Sequence, residues 1–360
     1  MKAAVLYDWN TPLVIEDLGI SGPGPGEVKA KVMATGVCHS DWHVVKGEWS
    51  HMPRPIILGH ESAGIVEEVG QGVTKLKVGD HVVLTWKPGC GTCEYCQQGW
   101  PQVCETMPNG SQKPTNRKTG ATVAQMVGLG GFGTKTVVPV SAAIAIDKDV
   151  PFPQAAMLGC SVATGVGAVI NTAKVKAGTT VAVFGCGGVG LNVIQGAAIA
   201  NAAKIIAVDL LDNKLQYANT FGATHTINAR EEDPVKKIID LTGGLGAHYA
   251  FEAIGLVPKP YEQSVMCTRR RGTTVWVGAA PLNLSLTLDA RALFYERVIM
   301  GCYLGSAQPH VDIPRYVSLY KAGKLKLDEL ISCKFKLSEV NEAFAALGRG
   351  EVARGVISYE

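Results

Sequence analysis

The chain has 360 residues, which is too long for one ordinary domain and suits two of about 150 residues each. With 47% hydrophobic and 18% charged residues, the composition is typical of a well-buried globular protein and excludes a disordered or coiled-coil one. The net charge of +3 is spread along the sequence, so neither nucleic acid nor a membrane surface is a predicted partner. No run of 18 or more apolar residues and no signal-peptide pattern is present, and we expect a cytoplasmic protein.

The first 150 residues consist of short β-branched runs separated by glycine and proline, which predicts mainly antiparallel β structure. The clearest strand patterns lie over 28–32, 63–69 and 80–84. The segment 105–131 has no sustained period and predicts a long surface loop, of the kind that is usually functional or lies at an interface.

After residue 151 the pattern changes to alternating helices and strands, which predicts a doubly wound parallel sheet. A helix is predicted over 154–170 and an all-apolar strand over 180–184. Further helices are predicted over 189–200, 213–221 and 234–241, and further strands over 205–208, 225–227, 249–252 and 274–277. From about residue 303 the pattern is mixed, and the tail, with a helix near 340–347 and a strand over 355–359, is expected to pack on the first domain.

A glycine-rich hexapeptide lies between the predicted strand over 180–184 and the predicted helix over 189–200, which is the context of a dinucleotide-binding turn. It fits the pattern Gly-x-Gly-x-x-Gly. In this pattern Gly185 permits the tight turn, Gly187 lets the backbone approach a pyrophosphate, and Gly190 lets helix and strand pack closely. The helix N-terminus then offers N–H groups to the phosphates. The hexapeptide comprises Gly185, Cys186, Gly187, Gly188, Val189 and Gly190.

Asp209 ends the next predicted strand, where a carboxylate accepts hydrogen bonds from the adenosine ribose hydroxyls and repels a 2′-phosphate. The sequence therefore predicts NAD rather than NADP as the cofactor. Lys214 is a candidate ribose contact, with a solvated helix face as the alternative. Glycines that serve only as turn residues are the alternative to the whole site.

Four of the ten cysteines lie close together with the spacing Cys-x2-Cys-x2-Cys-x7-Cys, which indicates metal rather than disulfides in a reducing compartment. Four soft ligands with no open position predict a tetrahedral structural zinc site, and a redox dithiol or an iron–sulfur cluster remains the alternative. The four are Cys90, Cys93, Cys96 and Cys104.

A second candidate metal site is dispersed along the chain and consists of Cys38, His60 and Cys160. Three ligands with a fourth position free for water or substrate are the pattern of catalytic zinc. Taken singly, each of these residues is more often an ordinary buried side chain than a ligand.

Together these motifs resemble the zinc-dependent alcohol dehydrogenases of the medium-chain dehydrogenase/reductase superfamily, essentially from end to end. The matching motifs occur in the family's order, and they are the residues 36–41, the Gly-His-Glu motif at 59–61, the four-cysteine segment, Gly159-Cys160, the glycine hexapeptide and Asp209. The resemblance implies a GroES-like β-barrel catalytic domain over 1–161 and 304–360 and a Rossmann domain over 162–303. It places the catalytic zinc in the cleft between them.

The resemblance also implies two zinc ions per chain and assigns roles around the catalytic one. Cys38, His60 and Cys160 are the expected ligands, Glu61 is a carboxylate able to ligate transiently, and Asp41 orients the histidine ligand. The implied reaction is reversible, NAD-linked oxidation of primary alcohols to aldehydes. In it, zinc acts as a Lewis acid on the alcohol oxygen and hydride passes to the nicotinamide.

The remaining implied roles concern the proton, the cofactor, the substrate and assembly. Ser40 accepts the alcohol proton and passes it to the nicotinamide ribose hydroxyl, and His43 hands it to solvent, with a capping hydroxyl and a surface histidine as the alternatives. For the cofactor, His39 and Arg354 hold the pyrophosphate and Thr164 contacts the nicotinamide. For the substrate, Trp49 and Trp86 wall a narrow slot that favours unbranched primary alcohols. The expected assembly is a homodimer or homotetramer. The run 269–271 of three arginines has no counterpart in the family and predicts a solvated helix end.

Two other functions stay open at this point. A thiol-adduct formaldehyde dehydrogenase or a related tight-cofactor bacterial enzyme is the nearest alternative, although Pro108 stands where the glutathione-dependent formaldehyde dehydrogenases carry an arginine. A zinc-stabilised binding protein that has lost activity is the alternative of a different class.

Overall fold

The structure is a computed structural model that describes residues 1–106 and 108–359, and it divides the chain into two units. Unit 1 comprises Met1–Cys160, Gln308–Lys321 and Ile331–Glu360, and unit 2 comprises Ser161–Ala307 and Ala322–Leu330. Three parts of the predicted catalytic domain, residue 161 and the segments 304–307 and 322–330, belong to unit 2 in the structure. The last of these segments buries three leucines there, and the backbone N–H of Lys326 donates to Gln195.

Unit 1 contains twelve strands in two sheets, and the strands are β1 (Lys2–Leu6), β2 (Val14–Gly19), β3 (Glu27–Val37), β4 (Ile56–Ile57), β5 (Ser62–Val69), β6 (His81–Leu84), β7 (Thr115–Asn116), β8 (Ala124–Gln125), β9 (Lys135–Pro139), β10 (Ala143–Ile146), β17 (Cys333–Phe335) and β18 (Gly355–Ser358) among the described residues. The five-stranded sheet has the order β7-β2-β1-β4-β8, and the seven-stranded sheet has the order β10-β6-β5-β3-β18-β17, in which β9 pairs with β3. Most of these pairs are antiparallel, as predicted.

The long strand β3 is the centre of the seven-stranded sheet, because β5, β9 and β18 all pair with it. Most of its residues are buried, which fits a strand covered by neighbours on both edges. Its antiparallel register with β18 sets Gly355 opposite Val37. The chain segments that carry Cys38 and Arg354 therefore meet at one end of this sheet, and the C-terminal tail packs on the first domain as predicted.

The helices of unit 1 lie at the ends of the strands, and they are α1 (His39–Val45), α2 (Glu94–Gln97), α3 (Phe152–Met157), α9 (Pro309–Lys321) and α10 (Val340–Gly348). Helix α1 packs on α10, where the Trp42 and Phe344 rings stack with centroids 5.4 Å apart. Phe344 also meets Phe132 edge to face. This aromatic contact fixes α1, the helix that follows Cys38, against the core.

Unit 2 contains a six-stranded, entirely parallel sheet in the order β13-β12-β11-β14-β15-β16. Its strands are β11 (Thr180–Phe184), β12 (Lys204–Asp209), β13 (His225–Asn228), β14 (Ala247–Glu252), β15 (Thr268–Trp276) and β16 (Val298–Gly301). Its helices are α4 (Ala163–Gly167), α5 (Gly188–Ile199), α6 (Asp212–Thr220), α7 (Pro234–Leu241) and α8 (Pro258–Met266). The predicted doubly wound sheet is confirmed, since the strand order reverses between β11 and β14, which is the usual place of a nucleotide site.

The predicted helix over 154–170 is confirmed as a longer helical stretch, Phe152–Thr172, in which α3 and α4 alternate with π-helical turns. By length and composition alone it could cross a membrane, with a mean hydropathy of 1.4, although no run of 18 apolar residues is present. Because 83% of its most apolar window is buried inside the protein, burial in the core explains its composition.

Two local predictions differ from the structure. The predicted surface loop over 105–131, of which residue 107 lies outside the described residues, contains the short strands β7 and β8, and both join the five-stranded sheet. The run 269–271 is not a helix end, because it lies within β15 at an irregularity in the pairing with β14. There Arg269 contacts His248, Arg270 lies over the Tyr295 ring and Arg271 pairs with Glu296.

Candidate active site

Four potential ligand side chains converge at a buried point in unit 1. The sulfurs of Cys38 and Cys160, a ring nitrogen of His60 and a carboxylate oxygen of Glu61 all lie within 4.8 Å of one another. All four residues are buried. The three dispersed residues singled out in the sequence are therefore neighbours in space, and Glu61 completes the group.

The local backbone explains how residues so far apart in sequence meet. Cys38 directly follows β3 and is the N-cap of α1. His60 follows Gly59, whose φ of +89° suits glycine and whose missing side chain avoids the backbone nitrogen of Phe132, only 2.7 Å from where a Cβ would lie. Cys160 lies in the turn of the long helical stretch that follows α3.

Asp41 connects two of these ligands through one buried carboxylate. Its Oδ1 accepts hydrogen bonds from the Gly59 backbone N–H at 2.8 Å and from His60 Nδ1 at 3.2 Å, and its Oδ2 accepts from the Cys38 backbone N–H at 3.2 Å. The contact assigns the His60 proton to Nδ1, which leaves Nε2 with its lone pair available to a metal ion. The predicted contact between Asp41 and the histidine ligand is present in the structure.

Arg354, the predicted phosphate contact, is buried beside Glu61. It is only 3% exposed, and its guanidinium contacts the Glu61 carboxylate. Burial raises the pKa of Glu61 to about 7, and the Arg354 charge opposes that shift. A buried carboxylate needs such a countercharge, so the structure shows Arg354 as the partner of Glu61, and its contact with a pyrophosphate stays a prediction.

The donor set of this buried cluster fits a zinc ion. Two thiols, one imidazole and one carboxylate are the ligands that zinc prefers. The pKa of Cys38 is held well below its usual range by hydrogen bonding from Cys160 and by the nearby His60, so the site favours a thiolate. Two thiolates and the Glu61 carboxylate would also balance the charges of one divalent ion and the Arg354 guanidinium, while three N–H donors satisfy Asp41.

The four lobe cysteines, defined as Cys90, Cys93, Cys96 and Cys104, form a second cluster with ligand atoms within 4.8 Å of one another. Two of their sulfur pairs, Cys90 with Cys96 and Cys93 with Cys104, lie 3.9 Å apart. This spacing is far longer than a disulfide bond and close to the edge, about 3.8 Å, of a tetrahedron with zinc–sulfur bonds of about 2.3 Å. The lobe therefore fits a tetrahedral thiolate zinc site.

Hydrogen bonds to sulfur support this second cluster. The backbone N–H groups of Thr92 and Cys93 donate to Cys90 Sγ, and that of Cys90 donates to Cys104 Sγ. Hydrogen bonds from Thr106 and Thr92 lower the pKa of Cys90 to about 4, which favours the thiolate that binds metal.

The two predicted relay residues belong to the segment that carries Cys38. Ser40 is half-buried, and its hydroxyl lies 3.8 Å from Cys38 Sγ. His43 is only 2% exposed, whereas a histidine that passes protons directly to solvent would be expected at the surface. Its Nδ1 contacts the half-exposed Glu48 carboxylate, a contact that the sequence analysis did not predict.

The two tryptophans predicted to wall the substrate slot each lie against a histidine. The Trp49 ring stacks on His43 with centroids 5.0 Å apart, and the Trp86 ring meets the ligand His60 edge to face at 6.2 Å. Both indoles are half-buried. The structure thus places Trp86 beside the buried cluster and Trp49 beside the predicted relay.

The glycine hexapeptide in unit 2 adopts the predicted strand–turn–helix arrangement between β11 and α5. A Cβ on Gly190 would lie 1.7 Å from the Gly185 carbonyl oxygen, which explains the close packing of helix on turn. A Cβ on Gly187 would meet nothing within 4 Å, so the backbone there is open to an approaching group. Gly188 and Val189 begin α5.

Asp209 ends β12, and its carboxylate faces the glycine turn. Oδ2 accepts from the Cys186 backbone N–H at 2.8 Å, and Oδ1 accepts from the backbone N–H groups of Leu210 and Leu211 at 2.7 and 3.1 Å. Since a carboxylate has about four acceptor sites, it can still accept from a further donor. Lys214 is half-buried in α6. Burial raises the pKa of Cys186 in the glycine turn, and the positive charge of Lys214 opposes that rise.

The two remaining predicted cofactor contacts lie on α1 and α4. His39 is exposed at the start of α1, and Thr164 is half-buried in α4. Their roles toward a cofactor stay predictions.

Two contacts of the site could not be predicted from local sequence patterns, for the same reason. Arg354 meets Glu61 only because β18 pairs with β3, a pairing that no local pattern specifies. The contact of Glu48 with His43 depends on the backbone turn after α1, for which the only local signal was Gly47.

Two family matches agree with this geometry. Residues 24–148 match the alcohol dehydrogenase GroES-like domain, and residues 188–322 match the zinc-binding dehydrogenase domain. The first range lies in unit 1 and contains both lobe and relay segments, and the second begins in the glycine hexapeptide. The GroES-like fold predicted for the first domain is confirmed by this match.

Similar proteins cover the chain from end to end. An "NDMA-dependent alcohol dehydrogenase" of Amycolatopsis methanolica is 39% identical over 99% of this chain and 98% of its own length. An "S-(hydroxymethyl)glutathione dehydrogenase" of Paracoccus denitrificans is 37% identical over 99% of each. The crystal structure of a benzyl alcohol dehydrogenase from Acinetobacter calcoaceticus has a TM-score of 0.92 and 34% identity over 100% of this chain and 99% of that one.

These findings define first a two-domain dehydrogenase with a GroES-like and a doubly wound nucleotide-binding domain. More narrowly, the chain belongs to the zinc-dependent alcohol dehydrogenases of the medium-chain dehydrogenase/reductase superfamily, as the resemblance implied.

Proposed function

We propose that the protein catalyses the reversible, NAD-linked oxidation of primary alcohols to aldehydes and binds two zinc ions per chain. The observation that carries the proposal is the buried cluster, in which Asp41 turns the His60 lone pair toward two thiols. A purely structural metal site would have no use for a carboxylate, Glu61, that already has a charged partner in Arg354. That pairing leaves three strong ligands and one exchangeable position, the arrangement of catalytic zinc.

Zinc held by Cys38, His60 and Cys160 would supply Lewis-acid chemistry, which lowers the pKa of an alcohol bound there. The protein's own part is to orient and deprotonate the substrate. Ser40 lies 3.8 Å from Cys38 Sγ, so its hydroxyl can accept a hydrogen bond from an alcohol held at the cluster. His43, on the same helix, is the next group that can accept the proton.

The choice of NAD rests on Asp209. Its carboxylate sits at the end of β12 beside the open backbone at Gly187, with acceptor capacity left for ribose hydroxyls. A 2′-phosphate would bring negative charge toward this carboxylate, at a cost on the order of 1–3 kcal/mol.

The substrate class rests on the aromatic side chains next to the cluster. Trp86 contacts the ligand His60 edge to face, and Trp49 stacks on the relay histidine. Two indoles favour a flat or unbranched primary alcohol over a secondary one, whose additional carbon would need space. The relative from Acinetobacter calcoaceticus, which is named for benzyl alcohol, supports including aromatic primary alcohols.

A second candidate is a dehydrogenase that keeps its nicotinamide cofactor bound and passes electrons to an external acceptor. This candidate is favoured by the Amycolatopsis methanolica relative, whose name states that it depends on NDMA.

A further alternative, oxidation of a thiol adduct, is suggested by the name of the Paracoccus denitrificans relative. It is opposed by Pro108, because proline offers no cation to bind a carboxylate at that position.

The test is a steady-state assay of the zinc-loaded protein with ethanol, 1-butanol, benzyl alcohol and 2-propanol, each with NAD, with NADP and with NDMA but no added cofactor. We expect NADH formation from the primary alcohols and little activity with NADP or 2-propanol. Turnover with NDMA alone, together with a nicotinamide cofactor released on denaturation, would instead establish the second candidate. No turnover under any condition would leave a zinc-stabilised protein without activity.

The cofactor assignment has its own variant. Asp209→Gly should bring the kcat/KM for NADP closer to that for NAD by about 10–100-fold, because the repulsion of about 1–3 kcal/mol is removed. A wild-type protein that already prefers NADP would show that Asp209 does not select the cofactor.

A further inference from the structure

We propose that Glu48 is a positioning residue that holds the His43 imidazole in one tautomer and connects it to bulk water. The inference rests on the proposed function, in which His43 is the outer group of the proton relay. The His43 side chain is 2% exposed, whereas that of Glu48 is 42% exposed, and the two are joined through Nδ1 and Oε2. Glu48 thus links a buried ring to the surface.

The backbone fixes this contact. After α1 the chain reverses at Gly47, which has a φ of +73°, and the backbone N–H groups of Glu48 and Trp49 both donate to the His43 carbonyl oxygen, at 2.9 and 3.3 Å. The Trp49 ring then stacks on the imidazole with an interplanar angle of 18°. His43 is therefore held by its own carbonyl, by a ring on one face and by a carboxylate at one nitrogen.

A second packing contact keeps the turn in place. A Cβ on Gly47 would lie 3.0 Å from the Trp9 ring, so the turn packs directly on that indole. Trp9 is itself covered by Arg54, whose guanidinium lies 3.7 Å from the ring centroid. Glu48 is thus carried by an anchored turn, unlike a surface carboxylate on a free loop.

The chemistry follows from where the carboxylate touches the ring. A carboxylate only accepts, so Nδ1 must carry the proton and Nε2 must hold the lone pair. When Nε2 takes up a proton from the relay, the Nδ1 proton can pass to Glu48 and then to water. One proton enters and one leaves, so Glu48 is again a carboxylate and the ring is neutral with its proton on Nε2. Release of the Nε2 proton and return of one proton from water through Glu48 to Nδ1 restore the starting tautomer, so no other reactant is needed.

The first test compares Glu48→Gln with Glu48→Asp in single-turnover alcohol oxidation, which avoids masking by slow product release. Glu48→Gln keeps the size of the side chain but cannot take up a proton, and we expect its rate constant to fall about 10-fold. Added imidazole should restore part of the loss, and the dissociation constant for the alcohol should stay within about 2-fold. Glu48→Asp should retain at least about a third of the wild-type rate.

The matched control is Glu67→Gln, which removes a carboxylate of β5 that pairs with Lys135 away from the relay. It should leave the rate unchanged with and without imidazole. Thermal unfolding curves of all variants check that each is folded. If Glu48→Gln does not fold, the rate of Glu48→Asp and the spectroscopic test below decide whether Glu48 positions His43.

The second test reads the tautomer directly and does not depend on turnover. Nitrogen-15 spectra of histidine-labelled protein, with His43 identified by the signal missing in His43→Gln, should show protonated Nδ1 and unprotonated Nε2 in the wild type and in Glu48→Asp. In Glu48→Gln the two tautomers should mix.

The outcomes separate this inference from the proposed function. Glu48→Gln with a wild-type rate, or with a lower rate that imidazole does not restore and unchanged His43 signals, overturns the role of Glu48. A wild-type protein that oxidises no alcohol overturns the proposed function instead, and the nitrogen-15 spectra still decide whether Glu48 sets the tautomer.

Discussion

The two cysteine-containing clusters of unit 1 are built in opposite ways. The lobe cluster draws four thiols from one short segment, and only one of them, Cys104, is buried. The buried cluster draws sulfur, nitrogen and oxygen donors from three distant segments, and all of its ligands are buried. Backbone N–H groups support the first, whereas two charged side chains, Asp41 and Arg354, support the second.

The difference would allow one chain to give two metal sites separate tasks. Four identical soft donors would saturate an ion and tie a loop together. A mixed set whose carboxylate already has a guanidinium partner would keep one position exchangeable. We therefore expect the lobe cluster to govern stability and the buried cluster to govern activity, and each prediction below tests that division.

Metal removal should have the largest effect on activity. A saturated tetrathiolate site exchanges its ion slowly, and a three-ligand site with an exchangeable position does so faster. Mild chelation should therefore abolish activity when about one zinc ion per chain is lost, before the thermal unfolding midpoint changes. Metal analysis together with activity and melting curves checks the order, and loss of stability before activity would reverse our assignment.

Replacing one ligand of the buried cluster should come next. Cys160→Ser removes a soft donor, and we expect kcat/KM to fall at least about 1,000-fold, because the Lewis acid is worth several kcal/mol. The unfolding midpoint should change little. Cys267→Ser is the matched control, since Cys267 is equally buried, lies outside both clusters and donates to Ser264, which a hydroxyl can also do. Equal losses in the two variants would contradict the division.

The lobe counterpart should show the reverse behaviour. Cys104→Ser leaves three thiols, so the stability supplied by metal binding is partly lost and we expect the unfolding midpoint to fall by about 5–10 °C. The kcat/KM of the folded protein should stay within about 3-fold of wild type. Differential scanning calorimetry and steady-state kinetics on the same preparation measure both quantities, and a Cys104→Ser protein with normal stability but no activity would refute the structural role.

The contrast between the clusters also explains what sequence could predict. The lobe is local, so the spacing of its cysteines alone predicts that they converge. Cys38, His60 and Cys160 are widely separated, and alone each looks like an ordinary buried residue. Their residue types suggest a three-ligand set, the resemblance to a family assigns that set to catalytic zinc, and the structure places the ligand atoms within 4.8 Å of one another.

The fold follows the same rule. Alternating apolar runs predicted the parallel sheet of unit 2, with β11 and α7 at their observed bounds, because such elements depend on local patterns. The contacts of Arg354 and Glu48 depend on strand register and on a backbone turn, which side-chain patterns do not encode. The arginines at 269–271 were misassigned because their charges obscure the strand pattern of β15, where partners in neighbouring elements satisfy them.

Support of a ligand should matter less than the ligand itself. Asp41→Asn keeps the shape of the side chain but replaces one carboxylate oxygen by an NH2 group, so at least one of the N–H donors of Cys38, Gly59 and His60 loses its acceptor, and the negative charge beside His60 is lost. We expect zinc affinity at the buried cluster and kcat/KM to fall about 10–100-fold. Competition with a zinc-binding dye measures the affinity, and an unchanged affinity would show that Asp41 serves only to accept the backbone N–H of the N-cap residue Cys38 at the start of α1.

The smallest effect should come from the equivalent change in the lobe. Thr92→Val removes a hydroxyl 3.5 Å from Cys90 Sγ, but the backbone N–H of the same residue also donates to that sulfur and survives any such substitution. We expect the unfolding midpoint to fall by less than about 2 °C and zinc content to stay the same. Since Thr92 and Asp41 each act through a ligand, the pair compares main-chain with side-chain support directly. A Thr92→Val protein that loses zinc as readily as Asp41→Asn would show that the lobe, too, depends on its side chains.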